Sequence, residues 1–389
     1  MIMNNYILFR RFFLAVTFSL FAFISFAEEN VHGDAEKMCE KCLGNEFVRS
    51  QPIERSEVDV TEVIFGHISD AHDWHICDWN GKAVSMPLPV ILVHTKPFSV
   101  SCFMSGQFHH GHSTVTRGDY TYSLCSNPKT GKETIVYATN AEGEHIVPLD
   151  FSITKNVFTL LWVCVLIFII FRACAKAYKR NPGKAPKGLQ GFMEPVILFV
   201  RDDIVLPNIG EKHYKRFLPY LLSVFFFIWF LNTIGLIPFF PGSANVTGNI
   251  AVTFVLAFLT LIIVNVNGNK DYWKHIFAMP GLPLWLLPIM VIVELIGIIS
   301  KPFALMIRLF ANITAGHIIV LSLISLIFIA NSVAASPVSV VFVVFMDVLE
   351  LFVAALQAYI FTMLTALFIG LAVKEHEHEH EHTPAVQHA

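Results

Sequence analysis

MIRLFANITAGHIIVLSL, residues 306–323, sets a permanent cation inside a run that is otherwise apolar. Arg308, Asn312 and His317 interrupt it. The apolar character extends outward from this stretch over about residues 284 to 330, and a second such segment covers about 338 to 373. Forty-odd helical residues rise roughly 60 Å at 1.5 Å each. That is about twice the hydrocarbon thickness of a bilayer. Both segments are therefore expected to be tilted, bent or broken, with Pro302 and Pro337 as candidate breaks or boundaries.

The rest of the chain agrees with a membrane reading. Of 389 residues, 54% are hydrophobic and 15% charged, where a soluble domain carries roughly 25% charged. The net charge of −3 says little, because charge asymmetry between loops decides orientation. Three further spans are legible: TKNVFTLLWVCVLIFIIFRA (154–173), RFLPYLLSVFFFIWFLNTIGLIPFF (216–240) and NIAVTFVLAFLTLIIVNVNG (249–268). Between the first two, FMEPVILFVRDDIVLPNI (192–209) reads as an amphipathic helix on the cytoplasmic surface. The fold class is thus mainly α, a polytopic membrane protein with about five membrane-embedded helices, two of them long and tilted.

Residues 1–27 read as a signal peptide. Arg10 and Arg11 form a basic start, Phe12 to Phe26 an apolar run, and Ser25-Phe26-Ala27 a small-x-small cleavage site. An uncleaved anchor is the other reading. Residues 28–150 then form an exported domain, with strand-like PLPVILVHT (87–95) and ETIVYA (133–138), so a small β-rich module is expected. Arg172, Lys176, Lys179, Arg180, Lys184 and Lys187 after the first span mark the cytoplasmic side. Residues 151–373 form the membrane domain. The tail KEHEHEHEHTPAVQHA (374–389) lies inside; it reads as solvated, with divalent metal binding as the sharper alternative.

Ionisable groups within spans are costly, and so are functional candidates. Glu294, Lys301, Arg308 and His317 lie on the first long segment; Asp347, Glu350 and Gln357 lie on the second. At 100° per residue, Lys301, Arg308 and Asn312 fall within roughly 40° of one direction, with Glu294 close to it and His317 roughly opposite. Along the axis Glu294 and His317 straddle Arg308, by about 20 Å and 13 Å. Protonatable groups on either side of a fixed charge suit a split proton path. Glu and His can have their proton affinities tuned, whereas Arg stays charged. The plainer alternative is that Arg308 pairs with Glu350 or Asp347 and glues two helices together.

These residues resemble subunit a of the rotary F-type ATP synthases. ELIGIISKPFALMIRLFANITAGH (294–317) is similar to the family's most diagnostic segment, LQAYIFTMLT (356–365) to its second signature, and LNTIGLIP (231–238) to the N-x-x-G-x-I-P pattern of an earlier span. The resemblance implies a proton-translocating stator subunit, not itself an enzyme for nucleotides. Arg308 would face the rotor ring and separate two half-channels. Glu294 would serve the cytoplasmic one, His317 and Glu350 the outer one, with Gln357 packed near Arg308 and Asn312 beside it. The family often has Glu at the position of His317 and His at that of Glu350, so the pair is exchanged here. An Asp common before the 249–268 span is replaced by Asn249.

The implied partners are the rotor ring of c subunits, the peripheral stalk b subunits, the other ATP synthase subunits and the bilayer; no cofactor and no nucleic acid is expected. The implied address is a bacterial inner membrane, N-terminal domain outside and C-terminus inside. A secondary transporter would show two related halves, and no such repeat is visible. A membrane-anchored metal-binding protein is the other alternative. It rests on Cys39, Cys42, His67, His72, His75 and Cys77, a spacing that is not a standard zinc pattern. Five of the seven cysteines fall in the exported region, where disulfides are possible. Asp70, Asp73 and the histidines near them offer a third reading, as proton-gathering groups.

Overall fold

The computed structural model describes residues 70–373 together with Ile64 and Ile68, apart from short stretches at 80–81, 96–97, 109–112, 128–131, 141–142, 144, 181, 238–239, 241, 278–282, 284 and 330–335. The signal-like segment, Cys39, Cys42, His67 and the Glu/His tail lie outside the described residues.

The expected β-rich module is present. β1 (Asp73–Trp79) and β2 (Lys82–Pro87) form a hairpin. β3 (Pro89–Thr95) pairs antiparallel with β4 (Phe98–Met104) on one side and with the short β9 (Leu149–Asp150) on the other. A second sheet runs in the order β5 (Val115–Arg117), β6 (Tyr120–Asn127), β7 (Lys132–Asn140), β8 (His145–Ile146). Strand β3 alternates strictly, burying Val90, Leu92 and His94 on one face. Side chains on a strand repeat every two residues, so those three enter one core with Phe103, Phe108, Tyr120, Tyr122 and Val136.

His94 is a polar member of that core. Its ring stacks on Tyr120 at 3.9 Å, and its Nε2 lies 2.8 Å from the Tyr122 hydroxyl, which donates to Ser101 Oγ. Desolvation holds its pKa below the ordinary histidine value. Cys102 on β4 is an exposed free thiol.

The membrane part follows, with eight helices among its described residues. α1 is Lys155–Arg180, and α2 (Leu189–Phe199) runs through a wider π-helical turn (Val200–Val205) into α3 (Leu206–Ile209). α4 is Tyr214–Gly235, α5 Ile250–Val266, α6 Lys270–Phe277, α7 Leu287–Ile329 and α8 Ser336–Val373. Among the described residues, four helices are long and apolar enough to cross a membrane. The fifth expected span is the bent pair α5 and α6, which turn by 101° at their break. This is a multi-pass membrane protein.

Burial is distributed unevenly. Apolar α4 is buried over most of its length, while little of the most apolar stretch of the long helices α7 and α8 is buried. α4 is the core around which α1, α8 and the π turn pack. Pro302 does not break α7: the helix passes through it unbroken from 287 to 329. Membrane helices tolerate an internal proline where neighbours shield the freed carbonyl, and Pro302 is buried against α5 and α8. Pro337 does mark a boundary, in the first turn of α8. The segment read as an amphipathic surface helix is more embedded than expected. Val200, Ile204 and Val205 of the π turn are fully buried, while Arg201 and Asp202 pair with each other on the exposed side at 2.6 Å.

The β module is tied to α1 by specific bonds. After β9 the chain continues along β3, with Phe151 and Ile153 donating to the carbonyls of Ile91 and Pro89. Asp70 then caps the start of α1. Its Oδ2 accepts from Thr154 Oγ1 at 2.7 Å and its Oδ1 from the Asn156 amide at 3.0 Å. Beside it His72 Nε2 meets Asp150 Oδ2 at 2.7 Å. Burial disfavours the charged Asp150. The bond and charge of His72, with two bonds from Ser152, outweigh that and leave its pKa below the usual carboxylate value. Trp74, 2% exposed, completes the joint edge-on to Phe158 and Phe240.

Candidate functional site on the two long helices

α7 and α8 carry the polar residues singled out by sequence. They pack against each other as consecutive long helices joined by a short connection, and so run antiparallel. Because α7 is unbroken, axial distances follow from the helical rise. Glu294 lies about 21 Å before Arg308 and His317 about 13 Å beyond it.

Arg308 is exposed on α7. Its neighbours on that side are small, since Ala304, Ala311 and Ala315 are exposed with it, as is Asn312. The helix-glue alternative fails here. Among the described residues Arg308 makes no ion pair, with Glu350, Asp347 or any other acid. Asp347 is exposed one turn before Glu350.

Glu350 is turned toward α7. A Cβ placed on Gly316 would stand 2.5 Å from Glu350 Oε1, so the carboxylate lies against the bare backbone of Gly316. That oxygen is buried and accepts no hydrogen bond. Glu350 therefore sits level with Gly316 and its neighbour His317, which is half-buried and engaged in a contact of its own. Seven residues further along the antiparallel α8, about 10.5 Å, Gln357 comes to about the level of Leu309 and so of Arg308. Gln357 is 4% exposed.

Glu294, at the other end, is half-buried and within electrostatic range of Tyr272 on α6. The structure thus brings Glu350 to the level of His317, and Gln357 to that of Arg308. Glu294 stands apart, beside the turn between α5 and α6.

The structure adds contacts that the sequence reading did not supply. Thr314 Oγ1, one turn before His317, is buried without a partner. Asn232 and Gly235 of α4 both serve the loop that follows. Asn232 Oδ1 accepts from Thr247 Oγ1 at 2.8 Å, and a Cβ at 235 would reach 3.0 Å from the Ala244 carbonyl. The amide nitrogens of Asn232 and Asn245 and the Thr233 hydroxyl stay buried and unpartnered nearby in sequence. The N-x-x-G spacing signalled this turn, but nothing in it named the partner. Asn249, where an acid was expected, caps α5 by accepting from the Ala251 amide at 2.9 Å.

The family model for the ATP synthase A chain matches residues 157–370. The chain belongs to this family. The "ATP synthase subunit a 2" of Chlorobaculum tepidum is 46% identical over 235 residues, which cover 58% of this chain and 65% of that protein. The "ATP synthase subunit a" of Chlorobium phaeobacteroides (strain DSM 266) is 45% identical over 250 residues, 61% of this chain and 71% of the relative. A namesake in Anaeromyxobacter is 44% identical over 59% of this chain and 56% of its own length. The matches span between 56% and 71% of these relatives' own lengths. All the polar residues of α7 and α8 described above fall inside the family's range. The β module matches a separate family, Domain of unknown function (DUF8433), over residues 63–152.

Proposed function

We propose that the chain is the proton-translocating stator subunit of a rotary ATP synthase, working against a ring of c subunits and held by the peripheral stalk b subunits. The observation that carries this is Arg308: a permanent charge on an apolar helix, exposed among small residues and unpaired by the neighbouring helix. A charge so placed needs an acid from another chain, because leaving it in hydrocarbon costs several kcal/mol, roughly 2.5–3.5 by insertion scales.

In this reading a proton enters from the outer side past Glu350 and His317. It neutralises a carboxylate of the ring, which then turns through lipid. An ionised carboxylate would pay heavily there. The returning carboxylate meets Arg308, which favours its ionised form and so releases the proton. The proton leaves past Glu294. The fixed charge of Arg308 keeps the two half-channels from short-circuiting, with Asn312 beside it on the exposed side and Gln357 at its level. No nucleotide chemistry falls on this chain.

The proposed organisation is residues 1–27 as signal peptide, 28–150 as an exported domain, 151–373 in the membrane and 374–389 as a cytoplasmic tail, in a bacterial inner membrane. The basic run Arg172 to Lys187 supports that orientation.

The test is proton-driven ATP synthesis by the reconstituted complex. Arg308→Ala should abolish it, and Arg308→Lys should cut it heavily, because Lys lacks the planar fork and can deprotonate once the ring covers it. Wild-type coupled synthesis in Arg308→Ala would overturn the reading.

A further inference from the structure

The end of α8 is held on two flanks. At the break between α5 and α6, the Asn269 amide donates to the Ala372 carbonyl at 2.9 Å, and Asn269 Nδ2 donates to the Val373 carbonyl at 2.6 Å. Carbonyls at a helix C-terminus find no partner within their own helix, and Asn269 supplies one to each of these two. On the other flank Gly370 lies against the Asn208 carbonyl of α3. The chain beyond Val373 therefore leaves α8 between α6 and the turn from α3 into α4.

Both flanks are basic. Lys270 and Lys274 are exposed on α6, and Lys212, Lys215 and Arg216 are exposed at the turn into α4. Glu211 is the exposed acid on these flanks, while Asp271 and Glu294 are half-buried. Asp202 and Asp203 belong to the π turn, where Asp202 is taken up by Arg201. His213 and His275 stand on the same two flanks as the cations.

The segment that starts there is KEHEHEHEHTPAVQHA, residues 374–389. Its four glutamates against one lysine leave a side-chain charge of −3 while its five histidines are neutral, and +2 once all five are protonated. Histidine titrates near about 6.5, so the sign reverses between about pH 7.5 and 5.5. A segment tethered at Val373 meets its neighbours at an effective concentration on the order of millimolar, which lets individually weak surface ion pairs act together. We propose that the Glu/His segment docks on this basic collar when its histidines are neutral and leaves it when they are protonated. Acid turns the segment positive while His213 and His275 add to the charge of the collar, so attraction becomes repulsion. Anionic lipid competes for the same lysines, but its phosphates carry no imidazole and give no such reversal. The proposal stands independently of proton translocation, because none of the charges it uses is Arg308, His317 or Glu350.

The experiment uses the full chain in its native assembly, with a nitroxide placed at Ala385→Cys and a chelator present. The signal of the labelled wild-type assembly, from its native thiols, is subtracted. Electron paramagnetic resonance reads the immobilised fraction of the label. It should be mainly immobilised at about pH 8 in low salt, and mainly free at about pH 5.5 or in about 0.5 M salt. Glu375→Gln, Glu377→Gln, Glu379→Gln and Glu381→Gln together should free it at both pH values without touching any helix. His376→Gln, His378→Gln, His380→Gln and His382→Gln together should keep it immobilised in acid. Lys270→Gln with Lys274→Gln should lower the ratio of docked to free label about fourfold, roughly a factor of two for each exposed ion pair. A label that is free at about pH 8, that stays immobilised in acid, or that ignores the glutamate changes would overturn the proposal. Immobilisation that appears only when Zn²⁺ replaces the chelator would overturn it too, by assigning the segment to metal binding.

Discussion

The carboxylate of Glu350 lies against the bare backbone of Gly316: a Cβ there would stand 2.5 Å from Oε1. Glycine at 316 thus makes room for an acid from the facing helix. Gly316→Ala should push that carboxylate away while leaving both helices intact, because the obstructing atoms belong to a side chain that can rotate. Misplacement of a reacting group by about an ångström can cost up to 10²-fold, so proton-driven ATP synthesis should fall by roughly ten- to a hundredfold. Adding Glu350→Asp, one methylene shorter, should recover part of it. Gly370→Ala is the contrasting case. Its Cβ would strike the Asn208 backbone carbonyl, which cannot rotate away, so loss of assembled protein is expected rather than loss of coupling alone. Immunoblots beside the activity assay separate the two.

The level of Glu350 beside His317 leads to a second test. Exchanging them, His317→Glu with Glu350→His, keeps one imidazole and one carboxyl at the site. The double exchange should retain more proton pumping than either single change, read by acidification of inverted vesicles. Equal loss in all three would mean that the two do not act as a pair.

The cap formed by Asp70 joins the β module to α1. It accepts from Thr154 Oγ1 at 2.7 Å and from the Asn156 amide at 3.0 Å. Asp70→Ala should cost about 0.5–2 kcal/mol, the usual range for losing an N-cap. Hydrogen exchange at the first turn of α1 and along β9 should rise accordingly, with the distant α7 unaffected. Thr154→Ala removes the bond to Asp70 and the one that Oγ1 accepts from the Val157 amide, so it should cost about as much.

His94 makes the β module sensitive to acid. Burial keeps its folded pKa below the unfolded value, about 6.5. A group with a depressed folded pKa contributes stability that is complete above the unfolded pKa and is lost as pH falls through it toward the folded one. Amide exchange in β3 and β6 should therefore quicken as pH drops below about 6.5, after correction for intrinsic rates. His94→Phe keeps the stack on Tyr120 and has no proton to gain. It should flatten that dependence, at a cost of about 1 kcal/mol for the lost bond to Tyr122.

Much of this protein was legible in its residues. Spans follow from apolar length, because hydrocarbon forces each chain segment to satisfy its own backbone hydrogen bonds as a helix. The two long helices and the polar series Glu294, Arg308, His317 were visible for that reason, and the β-rich module from its strand-like stretches. The β-branched run PLPVILVHT announced β3, and the structure added the alternation that buries His94. Proline was less decisive. Pro302 and Pro337 look alike in sequence, yet one lies inside an unbroken helix and the other opens one, because neighbouring helices decide whether a freed carbonyl is sheltered.

The sequence by itself determined the elements, the order of the motifs and the axial spacing of charges along α7, since all of these are local properties of a helix with fixed rise. Contacts between helices were decided only by the tertiary structure. That Glu350 rests on Gly316, that Arg308 pairs with no acid among the described residues, and that Lys301 rims a cleft beside α6 all depend on the relative rotation and tilt of packed helices. Side-chain shape across the interface sets those quantities, and no periodicity within one helix carries them.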